Sequence, residues 1–360
     1  MFRRSDATVI RRRLLAWYDR CKRDLPWRRR TGDSYAQLVA EVMLQQTQAA
    51  TVITYYERFL KRFPTVRALA EAPVDDVLTL WAGLGYYARG RNLHEAARWI
   101  VASFGATVPR TVEELMTLPG IGRYTAGAIA SVAYDVRAPI LDGNVARVLA
   151  RLLAEIGDLK ASVVRDRLWT AAEEILPRKR CGDFNQALME LGATVCVPRL
   201  PNCLSCPIRT VCKAYRGGQT DRVPQTGRRT RVLSVRLAVA AVRRADGRML
   251  FIQRPDRGLW GGLWELPSEP LQNDESVEQA RDRLARRLGT RCCLGRESTG
   301  EVNRQLTHRR VNFHLFQGRW NGNGCCRRLG TQPARWVRLA DTGSIGISRA
   351  CQAVLAIVGR

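Results

Sequence analysis

The chain has 360 residues and a formal net charge of +26, with 59 Lys and Arg against 33 Asp and Glu. That length allows two domains with a core each, and such a charge points to nucleic acid before an anionic membrane. No run of about eighteen apolar residues exists, which excludes a helical membrane span, and eleven cysteines without an apolar secretory segment favour a reducing, intracellular compartment over a disulfide scaffold.

From Ala7 to about Tyr215 the pattern is helical, broken by short Pro and Gly stretches. Val9-Ile10 and Leu14 to Tyr18 already read as a domain helix, and Leu25-Pro26-Trp27-Arg28 follows directly. That leaves little room for a cleaved leader, despite an Arg-rich start. Ser34 to Phe63 includes a long helical region that carries Glu41-Val-Met-Leu-Gln-Gln-Thr47. Asp75 to Trp81 is a further helix, ending in Ala82-Gly83-Leu84-Gly85. By itself Glu41 reads as a solvated helix glutamate.

Thr111 and Glu114 have the spacing of a capping box, so a short helix starts there. Pro119 and Gly120 end it, and a second helix runs from Tyr124. Two helices around Leu118-Pro-Gly-Ile-Gly122 make a helix–hairpin–helix. Gly120 and Gly122 would let the backbone approach a DNA phosphate, and N–H groups at a helix start attract anions. Beyond it, Asp142-Gly143-Asn144 precedes the amphipathic run Val145 to Leu153, so Asp142 sits where an N-cap would sit. A capping carboxylate is held ionised by the helix dipole and could face a developing positive charge.

Glu41 and Asp142 then form a pair. If Glu41 is buried, desolvation raises its pKa and favours the acid form. An acid that protonates a purine and a carboxylate that stabilises the sugar cation are what cleavage of an N-glycosidic bond calls for, the division of labour used by glycoside hydrolases. Further helices are expected over Ser162 to Leu176 and Asp183 to Ala193. Cys196, Cys203, Cys206 and Cys212 follow with the spacing C-x6-C-x2-C-x5-C, a metal centre for which zinc is the generic occupant. Arg199, Arg209 and Lys213 lie in the same segment. The other seven cysteines have no such spacing and read as core or incidental.

Residues 216–231 are polar, basic and punctuated by Gly and Pro, which reads as a linker. The period then changes. Val232 to Val242 and Arg248 to Gln253 look like strands joined through Asp246-Gly247, Asp274 to Leu288 is helical, and Val311 to Trp320 and Ala334 to Val337 look like strands. The second domain is therefore mixed α and β. No internal repeat and no oligomerisation seam is visible, so a monomer is expected.

The hairpin and the aspartate resemble the helix–hairpin–helix DNA glycosylase superfamily, which includes endonuclease III and MutY. Leu25-Pro-Trp-Arg28, Glu41-Val-Met-Leu-Gln-Gln-Thr, Trp81-Ala-Gly-Leu-Gly-Tyr-Tyr, Leu118-Pro-Gly-Ile-Gly-Arg-Tyr-Thr-Ala-Gly, Leu141-Asp-Gly-Asn-Val and Phe184-Asn-Gln-Ala-Leu-Met-Glu-Leu-Gly all resemble its MutY branch. The resemblance implies a multidomain protein: a mainly α glycosylase domain over 1–215, the linker 216–231, and an α/β Nudix-like domain over 232–360. It implies a [4Fe–4S] cluster on the four cysteines rather than zinc.

It also implies roles. Glu41 would protonate adenine N7, Asp142 would stabilise the sugar cation, and Asn144 would orient it. Trp27, Arg28, Leu44 and Gln186 match the adenine pocket, although the gap between Arg28 and Glu41 is about one residue longer than usual. Gln46, Leu84 and Tyr86 would fill the space left by a flipped base. Tyr124 stands where endonuclease III-like lyases carry the lysine that forms a Schiff base, so the resemblance implies a monofunctional enzyme.

In the second domain, Gly258 to Ser268 invites a Nudix reading, but Arg281-Asp-Arg-Leu-Ala-Arg-Arg-Leu-Gly289 lacks the metal-binding glutamates. Pyrophosphate hydrolysis is therefore not expected. A lesion-recognition role is, with Thr307 and His308 falling where the family has Ser-His before 8-oxoguanine. The expected partner is double-stranded DNA holding A:8-oxoguanine or A:G mispairs, in a cytoplasmic, bacterial setting, and part of the arginine content reads as that of a high-GC genome. The competing readings are another mismatch glycosylase of the superfamily, an endonuclease III-like lyase, and a non-catalytic lesion-binding protein.

Overall fold

The computed structural model describes residues 2–30, 32–225, 232–306, 308–322 and 327–359. They fall into two compact units, Met1–Glu71 with Asn92–Arg228, and Ala72–Arg91 with Arg229–Arg360.

The first unit is helical. Its core gathers Ile10, Leu14 and Tyr18 from the helix Arg4–Cys21 against Val145 and Leu149 of Gly143–Leu153 and Phe184 and Leu188 of Cys181–Thr194. The apolar spacing in each helix is the amphipathic one that buries a single stripe. The long helical region expected over Ser34 to Phe63 is two helices, Ser34–Leu44 and Ala49–Arg62. Gln-Gln-Thr-Gln between them offers nothing to bury, and Gln46 takes a left-handed φ of 56°. The first of the pair starts from Asp33, whose side chain accepts from the Ala36 N–H.

The stretch read as a linker is partly structured. Val223 is 1% exposed within the first unit's core, and its carbonyl accepts from Arg151 Nε at 2.9 Å. One apolar residue in a polar run is enough to tie it down. Residues 226–231 lie outside the described ones.

In the second unit the strands are β1 Leu233–Arg243, β2 Met249–Gln253, β3 Trp264–Glu265, β4 Ser268–Pro270, β5 Cys292–Leu294, β6 Gly300–Gln305, β7 Arg309–Trp320, β8 Arg328–Leu329 and β9 Gln332–Val337. The order is β5-β7-β1-β2-β9-β8, with β3 on β2, β4 on β1 and β6 on β7. β1 and β7 run parallel in unbroken register from Leu233 opposite Arg309 to Arg243 opposite Arg319. Such a pair needs a crossover, and the helix Val277–Leu288 lies between them in sequence. Leu237, Val239 and Ala241 face the helix Arg349–Val358, while Ala238, Ala240 and Val242 face Val277–Leu288. Burial on both faces explains why β1 reads as a nearly continuous apolar run.

Residues 72–91 belong to this unit, although their helix Val74–Trp81 reads like its neighbours in the helical region. Asp75 pairs with Arg335 at 3.1 Å, and Arg91 Nη2 donates to the Asp256 carbonyl at 2.6 Å. Among the described residues no helix is long and apolar enough to cross a membrane.

Candidate active site

Glu41 lies on the inward face of Ser34–Leu44 and is 3% exposed. Gln37, one turn earlier, donates from Nε2 to Glu41 Oε1 at 2.7 Å, and the Tyr124 hydroxyl donates to Oε2 at 3.3 Å. Burial pushes the Glu41 carboxyl up to about 7. The Tyr124 hydrogen bond opposes that, Asp142 adds to it, and Gln37 and Arg28 pull back. The side chain is thus balanced between acid and base near neutrality, where general catalysis is most effective. Tyr124 is partly buried beside Met189, whose Sδ lies 3.4 Å from its hydroxyl. Burial, then Glu41 and Asp142, keep that phenol neutral.

Asp142 is the N-cap of Gly143–Leu153, its Oδ1 accepting from the Val145 N–H at 2.7 Å. Asn144 Nδ2 donates to Asp142 Oδ2 at 3.2 Å, and Arg147 Nη2 holds the Asn144 amide oxygen at 2.8 Å. The sequence expectation of an aspartate kept ionised by its helix needs adjusting. Burial raises its pKa, and the N–H groups of Val145 and Asn144 only partly offset that. A carboxylate held at this cost has more to gain from an approaching cation than a solvated one. The turn approaches the helix Cys181–Thr194 so closely that a Cβ on Gly192 would lie 2.7 Å from Asn144 Cβ.

These groups line a cleft of about 1050 Å³ in the first unit, together with Trp27, Arg28, Leu44, Gln46 and Gln186. Trp27 is 6% exposed and packs edge-on against Tyr56 at 5.6 Å. The residues of this wall that were not singled out from the sequence include Gln37, Gln45, Arg23 and Glu190. Gln45 Nε2 donates to Thr125 Oγ1 at 3.1 Å. Glu190 is 1% exposed and accepts from Arg23 at 2.7 and 2.8 Å and from Arg28 at 2.9 Å. Burial pushes Glu190 up, and the two guanidiniums more than reverse it, to about 2. A glutamate at helical spacing from Gln186 in an otherwise apolar run was the available signal.

The hairpin joins Val112–Met116, with the Thr111–Glu114 capping box formed on both sides, to Arg123–Tyr134. Gly120 has φ of 77°, and a Cβ there would lie 2.7 Å from the Asn92 side chain, so the turn tolerates no side chain. Gly122 is the N-cap of the second helix, with open space around its α-carbon and no side-chain cap. The first-turn N–H groups are left to an external acceptor.

Leu84 and Tyr86 belong to the second unit. Leu84 is 6% exposed, turned inward as its N–H bonds the Trp81 carbonyl at 3.0 Å, so it offers no wedge at the surface. Tyr86 is 41% exposed at a left-handed φ of 48°, with the Arg89 guanidinium 5.5 Å from its ring. In the β6–β7 hairpin, Leu306 packs on the core and bonds back to the Arg309 carbonyl at 2.7 Å, while His308 is exposed. Thr307 lies outside the described residues.

The four spaced cysteines form one neighbourhood. Cys206 is pushed up to about 12, by burial first and then by the other three thiols. Arg151, 2% exposed, donates to Cys196 Sγ at 3.3 Å and to the carbonyls of Val197 and Pro198 at 2.7 and 3.1 Å, with no carboxylate partner among the described residues. A buried guanidinium without a carboxylate asks for another anion, and four thiolates would supply one if they held a metal group. Among the described residues no group of three or more His, Cys, Asp or Glu is placed to hold a metal ion, so the donor set itself carries that reading. Cys181, Cys292 and Cys351 are buried and Cys21 and Cys293 exposed, each with a free thiol.

A family model described as HhH-GPD superfamily base excision DNA repair protein matches residues 39–174, and one described as NUDIX domain matches 238–356. The chain is 39% identical over 364 residues to the adenine DNA glycosylase of Mus musculus, an alignment covering 87% of this chain and 71% of that one. With the adenine DNA glycosylase of Homo sapiens the identity is 37% over 409 residues, covering 98% and 74%. Among solved structures, a thermostable thymine-DNA glycosylase superposes with a TM-score of 0.54 at 30% identity, covering 59% of this chain and 98% of that one.

Proposed function

The chain belongs to the adenine DNA glycosylases of base excision repair, and on that premise we propose that it excises adenine opposite 8-oxoguanine or guanine by hydrolysis alone. The observation that carries the chemistry is Glu41, raised to about 7 in the same cleft as the capped Asp142. Protonated Glu41 gives its proton to adenine N7. The C1′–N9 bond then breaks with its electron pair going to N9, and the cation left on the sugar faces Asp142. Water adds at C1′ and returns a proton to Glu41. The products are free adenine and an abasic site. Tyr124 cannot form a Schiff base, so strand cleavage by β-elimination has no amine to start it.

The division of labour follows the two units: base removal in the helical one, recognition of the opposite base in the α/β one. 8-Oxoguanine donates from N7 where guanine accepts, and a hydroxyl at Thr307 with His308 beside it would read that difference. Gln46 is the residue we assign to the gap left by the flipped adenine. Cys196, Cys203, Cys206 and Cys212 would hold a [4Fe–4S] cluster, which when bound folds the loop that carries Arg199, Arg209 and Lys213. A thiol-held cluster and free cysteines suit a reducing intracellular compartment.

The test is single-turnover cleavage of four labelled duplexes, with A opposite 8-oxoguanine, A opposite G, T opposite G and A opposite T, each with and without alkali. Breaks after alkali only, fastest for A opposite 8-oxoguanine, are expected. Breaks without alkali would identify a lyase, and fastest release from T opposite G would identify a thymine mismatch enzyme.

A further inference from the structure

Gln37 and Glu41 lie one turn apart on the helix Ser34–Leu44, inside a run that is buried from Tyr35 to Met43. Gln37 is 6% exposed. Tyr35, also polar, donates elsewhere, to the Phe63 carbonyl at 3.0 Å. Burying an amide costs free energy unless it is hydrogen-bonded. Gln37 turns its nitrogen to the carboxyl that does the chemistry: Nε2 donates to Glu41 Oε1 at 2.7 Å.

The two oxygens of Glu41 are therefore unequal. Oε1 receives this short bond, and Oε2 a longer one, 3.3 Å, from the Tyr124 hydroxyl. Donation to a carboxylate oxygen favours its ionised form, and the shorter bond is the stronger. In the acid form the proton thus goes to Oε2. A proton shared between Oε1 and Gln37 would need the amide turned over, with its oxygen toward Glu41. The ionised carboxylate only accepts, so an amide that keeps its nitrogen inward suits both halves of the cycle without turning.

We propose that Gln37 is a positioning residue for the acid: by occupying Oε1 it confines the proton of Glu41 to Oε2, on the Tyr124 side, from which the base is protonated. The inference rests on the reading that adenine enters this cleft. As the Oε2–H bond breaks and N7–H forms, the electron pair stays on the carboxylate and spreads onto Oε1. The Gln37 N–H already stands there to receive the charge. The other charged and titratable groups that act on Glu41 are Tyr124, Asp142 and Arg28.

The experiment uses Gln37→Met, which keeps the length of the side chain and removes the donor. Single-turnover release of adenine opposite 8-oxoguanine is followed across pH. A residue that only tuned acidity would move the alkaline limb and leave the rate below it unchanged. A positioning residue lowers that rate. Losing the bond that fixes the proton and the carboxyl should cost roughly tenfold there, with the limb moved to higher pH and DNA affinity unchanged. An unchanged rate below the limb overturns the inference.

A second readout needs no catalysis. Infrared difference spectra of the whole protein at acid pH, taken against Glu41→Gln, isolate the acid carbonyl of Glu41. With the proton on Oε2 the double bond is Cδ=Oε1, so its band lies at the low frequency of a bonded carbonyl and rises in Gln37→Met. A band that Gln37→Met leaves in place overturns the inference, as does a free carbonyl band in the unmodified protein, whether or not the variant folds. Absence of adenine release from the natural duplex would instead overturn the reading on which the inference rests, while the band would still decide where the proton lies.

Discussion

Tyr124 and Glu41, 83 positions apart in sequence, meet through one hydrogen bond in which the tyrosine hydroxyl donates to Glu41 Oε2 across 3.3 Å. The bond favours the ionised form of Glu41 and so works against burial, which lifts the carboxyl to about 7. Base protonation needs the acid form. The single-turnover rate should therefore hold below about pH 7 and fall as pH rises through that value. In Tyr124→Phe the opposing contact is gone and the Glu41 pKa rises, so the alkaline limb of the pH–rate profile should move to higher pH. A limb that stays in place or moves down would show that the hydroxyl does not tune Glu41.

Glu41→Gln keeps the shape and both neighbours but has no proton to give. Adenine release should be lost while affinity for the mispaired duplex is kept, a split read by pairing a cleavage assay with a binding titration. Stability should change in the opposite sense. The folded protein holds Glu41 protonated up to about 7, against an ordinary value of 4.5, so the unfolded chain releases its proton first. Stability is lost between those two values as pH rises. Glutamine does not titrate, so the variant should gain on the wild type across that interval, by on the order of 3 kcal/mol at pH 7 and above. Denaturant melts at pH 4 and pH 8 would show whether the gain appears only at the higher pH.

Asp142→Asn separates capping from catalysis. Asparagine caps a helix about as well as aspartate, so the Val145 N–H keeps its acceptor and the melting temperature should hardly move. The negative charge facing the sugar cation is lost. Release should fall by a factor of about 10² to 10³, the range of a lost electrostatic contact to a transition state. A large drop in stability together with activity would mean that the cap, not the charge, was the role of this residue.

The parts of this protein that read directly from sequence are those with local signatures. The Thr111–Glu114 capping box, Asp142 as an N-cap and the Asp246-Gly247 turn each depend on residues a few positions apart, and the structure has each of them. What escaped notice depends on long-range packing. Glu190 looks like any helix glutamate until Arg23 and Arg28 close on it from more than 160 positions away. Residues 72–91 carry an ordinary helical period, and nothing local says that Asp75 meets Arg335. Leu84 sits between glycines in a loop-like stretch, yet the turn on Trp81 sends it inward. The resemblance of the cleft motifs brought Glu41, Tyr124, Asp142 and Gln186 together on paper, but the balance of burial against hydrogen bonding at Glu41 and Asp142 needed the geometry.

The cysteine neighbourhood makes a composition prediction. Protein purified without oxygen should carry roughly four iron and four inorganic sulfide per chain and no stoichiometric zinc. Cys206→Ser should lose iron and the broad visible absorption together. The loop between Cys196 and Cys212 is tied to Arg151 and Arg147 through carbonyls, so its loosening should weaken DNA binding before it unfolds the rest of the unit. Stoichiometric zinc with full activity would exclude the cluster.

Gly192 links packing to chemistry. A methyl group there would lie 2.7 Å from Asn144 Cβ and 3.0 Å from the Asn144 carbonyl oxygen, closer than a side chain can stand. Gly192→Ala must push the helix Cys181–Thr194 away from the turn that holds Asp142 and Asn144. Overpacking of this kind costs about 1–3 kcal/mol, which alone leaves most of the protein folded. The displaced turn carries the Asn144 amide that steadies Asp142 at 3.2 Å, and misplacement by even about 1 Å can slow an oriented reaction 10²-fold. Release should therefore fall by far more than the folded fraction, with DNA affinity largely kept because the hairpin at Gly120 and Gly122 is untouched. Activity that merely tracks the folded fraction would mean that the turn absorbs the methyl without moving its aspartate.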